Sequence, residues 1–147
     1  MSLADWERSG WLVAARPTPG EITDLLAVID RDLADSAAKD LSADWRLHIA
    51  YNAALQAATV ALAASGYRAS RDQHHYRVIQ SLRETIQADA DLVSVFDVFR
   101  KKRNLSGYER AGLVSDSDAA AMRRLALRLR GAVRTWLKRT HPELLRG

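Results

Sequence analysis

From Ile49 to Ala64 the chain places Ala, Leu, Val, Ile and Tyr on nearly every side of a helix, interrupted only by Asn52, Gln56 and Thr59. A helix that is apolar all round has no face to offer water, so other elements must enclose it. The run is shorter than the roughly 18–20 apolar residues a bilayer span requires, so its cover must come from protein. Its many alanines let neighbouring helices approach closely. The three polar residues step by four and three, making one narrow stripe that needs hydrogen-bond partners once buried. They either line a shared polar cleft or satisfy one another and local backbone.

Helix punctuation around this segment is clear. Ser42 can cap the central helix, which extends from about residue 43 to 65 and stops at Gly66. Before it, Thr18-Pro19-Gly20-Glu21 matches a capping box with Pro19 at the first helical position. Ile22, Leu25, Leu26, Ile29 and Leu33 then recur at helical steps, so a first helix is expected from about 19 to 37. Ser70 or Asp72 opens a third helix ending near Gln87. Asp89 or Asp91 opens a fourth that reaches about Arg103 or a little further. Ser115-x-x-Asp118 is a second capping-box match, and the last helix runs from about 116 to Thr140, before Pro142. β-branched residues are sparse, and there are three prolines and seven glycines in 147 residues, which argues against an antiparallel sandwich or barrel. The expected fold is all-α, a single-domain bundle of about five helices over residues 19–141. Residues 1–18 form an N-terminal arm and 142–147 a tail. Trp6 and Trp11 suit an arm packed on the bundle or on a second subunit.

The net charge of +4 is unevenly placed. From Arg100 onward there are 13 basic against 4 acidic residues, while residues 1–99 carry 9 against 14. A basic C-terminal end can meet phosphate or an acidic partner, or stay a solvated surface. With no cysteine, thiolate zinc sites, iron–sulfur clusters and cysteine nucleophiles are excluded. Asp5, Trp6 and Glu7 occupy the place where a signal peptide needs basic and then apolar residues, so the expected location is cytoplasmic, with no membrane partner.

The last helix carries an apolar stripe at Met122, Leu125, Leu129, Val133 and Trp136, widened by Leu127 and Leu137. Its arginines, Arg123, Arg124, Arg128, Arg130 and Arg134, are either solvated or face phosphate. No phosphate loop, nucleophile elbow or H-E-x-x-H is present. His74 and His75 are adjacent and point about 100° apart on a helix, so they cannot share one metal, and neither metal nor cofactor is expected. His75 is in register with Ile79, Leu82 and Ile86, as a packed histidine would be. His48, one turn before Asn52, can extend the polar stripe. His141 lies in the tail.

The segment Phe96 to Arg110 is the most informative. Arg100, Lys101, Lys102 and Arg103 are four consecutive cations, which complement the carbonyl end of a helix dipole. Asn104 follows, then a short loop-like spacer containing Gly107, then Tyr108. This pattern resembles the HEPN superfamily of small all-α domains. Their signature is an arginine, often followed by Asn or another polar residue, then a spacer of four to six residues and a histidine, late in a bundle of four or five helices. Arg103-Asn104 supplies the first half, and Tyr108 stands after a four-residue spacer. The alanine-rich central helix, the His74-His75-Tyr76 opening of the third helix and the ending Trp136-Leu137-x-x-x-His141-Pro142 belong to the same resemblance.

The resemblance implies a homodimer that places two motifs in one basic cleft. It also implies binding of RNA or a nucleotide, often as a metal-independent endoribonuclease paired with a nucleotidyltransferase antitoxin. Arg103 would hold phosphate, Asn104 would orient it, and Tyr108 would stand where the family carries its histidine. Arg100, Lys101, Lys102 and Arg110 would add contacts to nucleic acid. No histidine follows Arg103 until His141, and a tyrosine titrating near 10 is a far poorer base at neutral pH than an imidazole near 6.5. A weak or degenerate ribonuclease is the form this substitution implies. The alternative is a non-catalytic interaction protein whose basic C-terminal helices bind an acidic protein.

Overall fold

The apolar run belongs to one 22-residue helix, α3 (Ala43–Ala64), and the other long helices pack around it. The computed structural model describes residues 2–108 and 111–145, and side chains outside 106–108. Numbered in chain order, the remaining elements are α1 (Leu3–Arg8), β1 (Leu12–Ala14), α2 (Pro19–Asp35), β2 (Tyr67–Ala69), α4 (His74–Thr85), α5 (Ala90–Tyr108) and α6 (Asp116–Thr140). A 3-10 turn, Pro142–Leu145, follows. The fold is therefore an all-α bundle with one small ribbon. Every long helix anticipated from capping and periodicity is present.

α3 is covered chiefly by α6 and α2, with α4 and α5 closing the remaining sides. Ala50, Ala53, Ala54, Ala57, Ala58 and Ala61 are fully buried, so the partner helices rest on methyl groups. By length and hydropathy α3 is the one helix among the described residues that could cross a membrane, but 67% of that window is buried inside the bundle. Its polar stripe is satisfied by neighbours rather than open to a cleft. Asn52 Nδ2 donates to Asp32 Oδ2 on α2 at 2.7 Å, Gln56 Nε2 donates to Asn52 Oδ1 at 3.3 Å, and Thr59 Oγ1 donates to the Leu55 carbonyl at 2.8 Å. Asp32 is only 6% exposed, and Arg31 balances its charge at 3.1 Å.

The caps behave as their residues dictate. The Glu21, Trp45 and Asp118 amides donate to the side chains of Thr18, Ser42 and Ser115. Gly66 ends α3 at φ +96, in the left-handed region that costs a side chain least when there is none.

Two departures matter. The N-terminal arm packs on the bundle, where Trp6 and Leu12 are buried, and β1 pairs antiparallel with β2, Leu12 opposite Ala69 and Ala14 opposite Tyr67. That ribbon takes the Ser70 amide and hydroxyl for Trp11 O and Gly10 O, so α4 starts later, at His74, without Ser70 as its cap. α5 continues through Gly107 to Tyr108, so the residues between Arg103 and Tyr108 are helix rather than loop. Position 108 is then about 140° around the axis from Arg103.

α6 buries Met122, Ala126, Leu129, Val133 and Leu137, with Leu125 and Trp136 at the margins, while Leu127 is exposed and does not widen the stripe. Arg123 Nε donates to the Leu33 carbonyl at 3.3 Å, and Arg130 and Arg134 reach Asp30 at 2.6 and 3.2 Å. Much of the basic C-terminal charge thus ties α6 to α2. Because α3 has no room for larger side chains, Ala57→Leu should destabilise the fold by about 1–3 kcal/mol, read as a lower urea midpoint. An unchanged midpoint would show that α3 is loosely packed.

Candidate functional site

Arg100, Arg103 and Asn104 are spaced by three and one, which places them along one side of α5, and all three border the gap to α4. Across from them α4 opens with His74, His75 and Tyr76, preceded by Arg71 and Gln73. These residues line a cleft of about 490 Å³, and none of them is acidic.

Arg103 is the centre of this cleft. Its guanidinium carbon lies 5.4 Å from the centroid of the Tyr51 ring, and Nη1 donates to Asn104 Oδ1 at 3.3 Å. Its Nε is buried with no hydrogen-bond partner among the described residues, and no described carboxylate pairs with it. Tyr51, on the fully buried side of α3, is fixed by Phe96 edge-on at 5.6 Å. The Tyr51 hydroxyl lies 3.1 Å from His75 Nδ1. Burial pushes the Tyr51 hydroxyl well above the ordinary tyrosine range, so it keeps its proton. A protonated hydroxyl both donates and accepts, so the direction of this hydrogen bond follows the tautomer of His75.

Arginines dominate the electrostatics of the site, against Asp44 and Asp97. His75 is held below its ordinary pKa first by burial, then by Arg103, His74 and Arg100. His48, packed against Trp45 at 5.4 Å, is lowered by burial and Arg103, with Asp44 opposing. Gln73 precedes α4 in the left-handed region (φ 51, ψ 38) and supplies no side-chain cap, so the positive end of the α4 dipole opens onto the same cleft. That backbone conformation costs a non-glycine residue about 1–2 kcal/mol.

The expected site residues divide sharply. Arg100 lines the cleft, held by Asp97 at 2.7 Å and 5.5 Å from the Tyr76 ring. Lys101 projects outward, 3.7 Å from Asp97. Lys102 is bound to Asp118 at 2.8 Å and keeps that carboxyl below its usual range, fastening α5 to the first turn of α6. The four-cation run is thus not one basic face. Arg103 and Asn104 come together in the cleft. Arg110 and the side chain of Tyr108 lie outside the described residues. The residues that spacing within α5 did not reveal are His74, His75, Tyr76, Arg71 and Gln73. Their clustering before and at the start of one helix was the available signal.

Chemically, this cleft can bind an anion through three guanidiniums and the Asn104 amide, with two imidazoles beside them. Among the described residues no three His, Asp or Glu side chains converge as a metal ion would require. No protein-family model matches the chain, and no curated protein or solved structure is significantly similar to it.

The lowered imidazoles give the fold a pH signature. The unfolded chain takes up protons at His48 and His75 near their ordinary value of 6.5, before the folded protein does. Stability is therefore full above that value and is lost as pH falls through it toward the folded pKa values. The urea midpoint should drop between about pH 7 and pH 5, and His75→Gln or His48→Gln should each flatten the drop. A wild-type midpoint that does not change over this range would contradict the burial of both rings.

Proposed function

We propose that this chain is a HEPN-like protein that binds RNA through its phosphate backbone in the Arg103 cleft. The observation that carries this reading is Arg103 itself: a half-buried guanidinium without a carboxylate partner among the described residues, beside Arg100 and Arg71, in a hollow bordered by no described acidic side chain. A cation left in that state is completed by an anion, and a planar fork suits the oxygens of a phosphodiester. The Arg103-Asn104 half of the family signature falls on the residues of the cleft. The imidazoles there come from α4 rather than from the end of α5. His74 is the exposed one, placed for slow, metal-independent proton transfer, while His75 is held by Tyr51. The competing reading, an acidic protein docked on the C-terminal helices, is disfavoured because Arg123, Arg130, Arg134 and Lys102 already have partners within the bundle.

The homodimer of this reading is supported by α5. Val95, Val98 and Leu105 are exposed at 47%, 61% and 45% on the helix that also bears Arg103. Beside them, Leu92, Phe99 and Leu125 line an apolar groove of about 380 Å³ between α5 and α6, flanked by Asp91, Arg124 and Arg128. A surface with both charge signs at the edges of an apolar strip can meet its own copy across a two-fold axis. Val98 and Leu105 stand about 140° and 160° around α5 from Arg103, so this strip and the Arg103 cleft occupy different sides of the helix.

Binding to a labelled single-stranded RNA should weaken steeply with salt, as phosphate contacts release counterions. Arg103→Ala should reduce affinity at least about tenfold and lower the salt slope by about one. Lys101→Ala with Lys102→Ala should do less, because Lys102 is held by Asp118. Salt-independent binding, or an Arg103→Ala variant that binds like wild type, would overturn the reading. Light scattering at micromolar concentration should report about twice the 16.4 kDa of one chain, and Val95→Asp should return it to one. A wild-type monomer would remove the homodimer.

A further inference from the structure

We infer that Trp11, Tyr76 and Arg77 form a nucleobase subsite beside the Arg103 cleft, so that the RNA taken up is single-stranded, with one base turned out onto α4. This deepens the RNA-binding reading above and rests on it.

Tyr76 is a wall of two hollows. On one side is the phosphate cleft, and on the other a second hollow of about 340 Å³ lined also by Trp11, Arg77, Gln80 and Glu84. Aromatic rings and guanidiniums alternate along this surface. Arg100 lies 5.5 Å from the Tyr76 centroid, Arg77 5.7 Å from the same ring, and Arg77 3.7 Å over Trp11. Nucleobases stack on aromatic faces and on arginine planes alike.

The two hollows differ in the way a nucleotide does. The first contains cations and no acid, which suits a phosphate. The second sets Glu84 among Arg77 and Arg83 and is walled by Trp6, Trp11 and Tyr76. Glu84 accepts a hydrogen bond from an exocyclic amine, and Gln80 can both donate and accept. The Trp11 platform is also held in place beforehand. Its amide donates to Trp6 O at 3.0 Å, its carbonyl accepts from the Ser70 amide at 2.9 Å, and its ring meets Trp6 edge-on at 5.7 Å. Trp11 packs half-exposed against the core that Trp6 and Leu12 enter, so part of the indole remains open. Arg77 Nε is buried without a partner, as is Arg103 Nε in the adjoining cleft. In a duplex the base faces are covered by their neighbours, so only an unpaired strand can present one to Tyr76 and Trp11.

The test compares three ligands on the full chain by anisotropy: a short single-stranded oligoribonucleotide, the same length of duplex RNA, and an abasic strand with the same phosphates. Wild type should prefer the single strand over both others, and the single strand alone should quench tryptophan fluorescence. Trp11→Ala should weaken single-strand binding about 5- to 100-fold, leave abasic binding unchanged and abolish the quench. Trp11→Phe should retain most of the affinity. Tyr76→Leu tests the same subsite from α4, independently of whether Trp11→Ala disturbs the β1–β2 ribbon. Equal binding of single strand and duplex, or equal loss for single and abasic strands in both Trp11→Ala and Tyr76→Leu, would overturn the base subsite while leaving phosphate binding intact. Failure of wild type to bind any of the three would overturn the RNA reading together with it.

Discussion

The burial of α3 on every side is the constraint on which the rest of the structure depends. A helix whose surface is mostly alanine and leucine is stable in water only when enclosed, and here α2, α4, α5 and α6 enclose it. The alanines set how closely those helices come. The one stripe that is not apolar fixes α2, because Asn52 has to reach Asp32 and Asp32 has to remain balanced. The same helix also builds the candidate site. Tyr51 projects from α3 with its ring beneath Arg103 and its hydroxyl at His75, so the core helix supports the cleft from below.

The distribution of guanidiniums gives the cleft its character. Several of the C-terminal cations are already engaged: Arg123 with a carbonyl of α2, Arg130 and Arg134 with Asp30, Lys102 with Asp118. Such partly exposed pairs are each worth about 0–1 kcal/mol, so they orient α6 more than they stabilise it. Arg103 differs because burial and packing on Tyr51 hold it where no described carboxylate can neutralise it. Burial lowers the pKa of both His48 and His75, and the field of Arg103 adds to it. The result is a concentration of positive potential within a concave surface, where an anion gains more than it would on an open face.

Much of the architecture could be read directly from local signals. Ser42, Ser115 and Thr18 cap the helices they precede, and Gly66 closes α3, because these groups answer unsatisfied backbone donors and acceptors within one turn. Where the reading faltered, a distant partner had intervened. Ser70 looked like a cap but bonds to Gly10, sixty residues earlier. The spacer after Arg103 looked like a loop because of Gly107, yet a glycine inside a helix costs only about 1 kcal/mol and α5 carries through it. The cations from Arg100 to Arg103 looked like one patch, although consecutive residues on a helix point in directions about 100° apart.

The sequence by itself determined the helices, their ends and the need to bury α3, because periodicity and capping act over one or two turns of chain. It also marked Arg103 and Asn104, whose adjacency is local. Only the tertiary structure decided what surrounds them. His74, His75 and Tyr76 face Arg103 because α4 packs beside α5, and Trp11 stands next to Tyr76 because β1 pairs with β2. Those neighbours are separated in sequence by tens of residues. They meet only because covering α3 on all sides leaves each helix one place to lie, and no spacing along a single helix can express that.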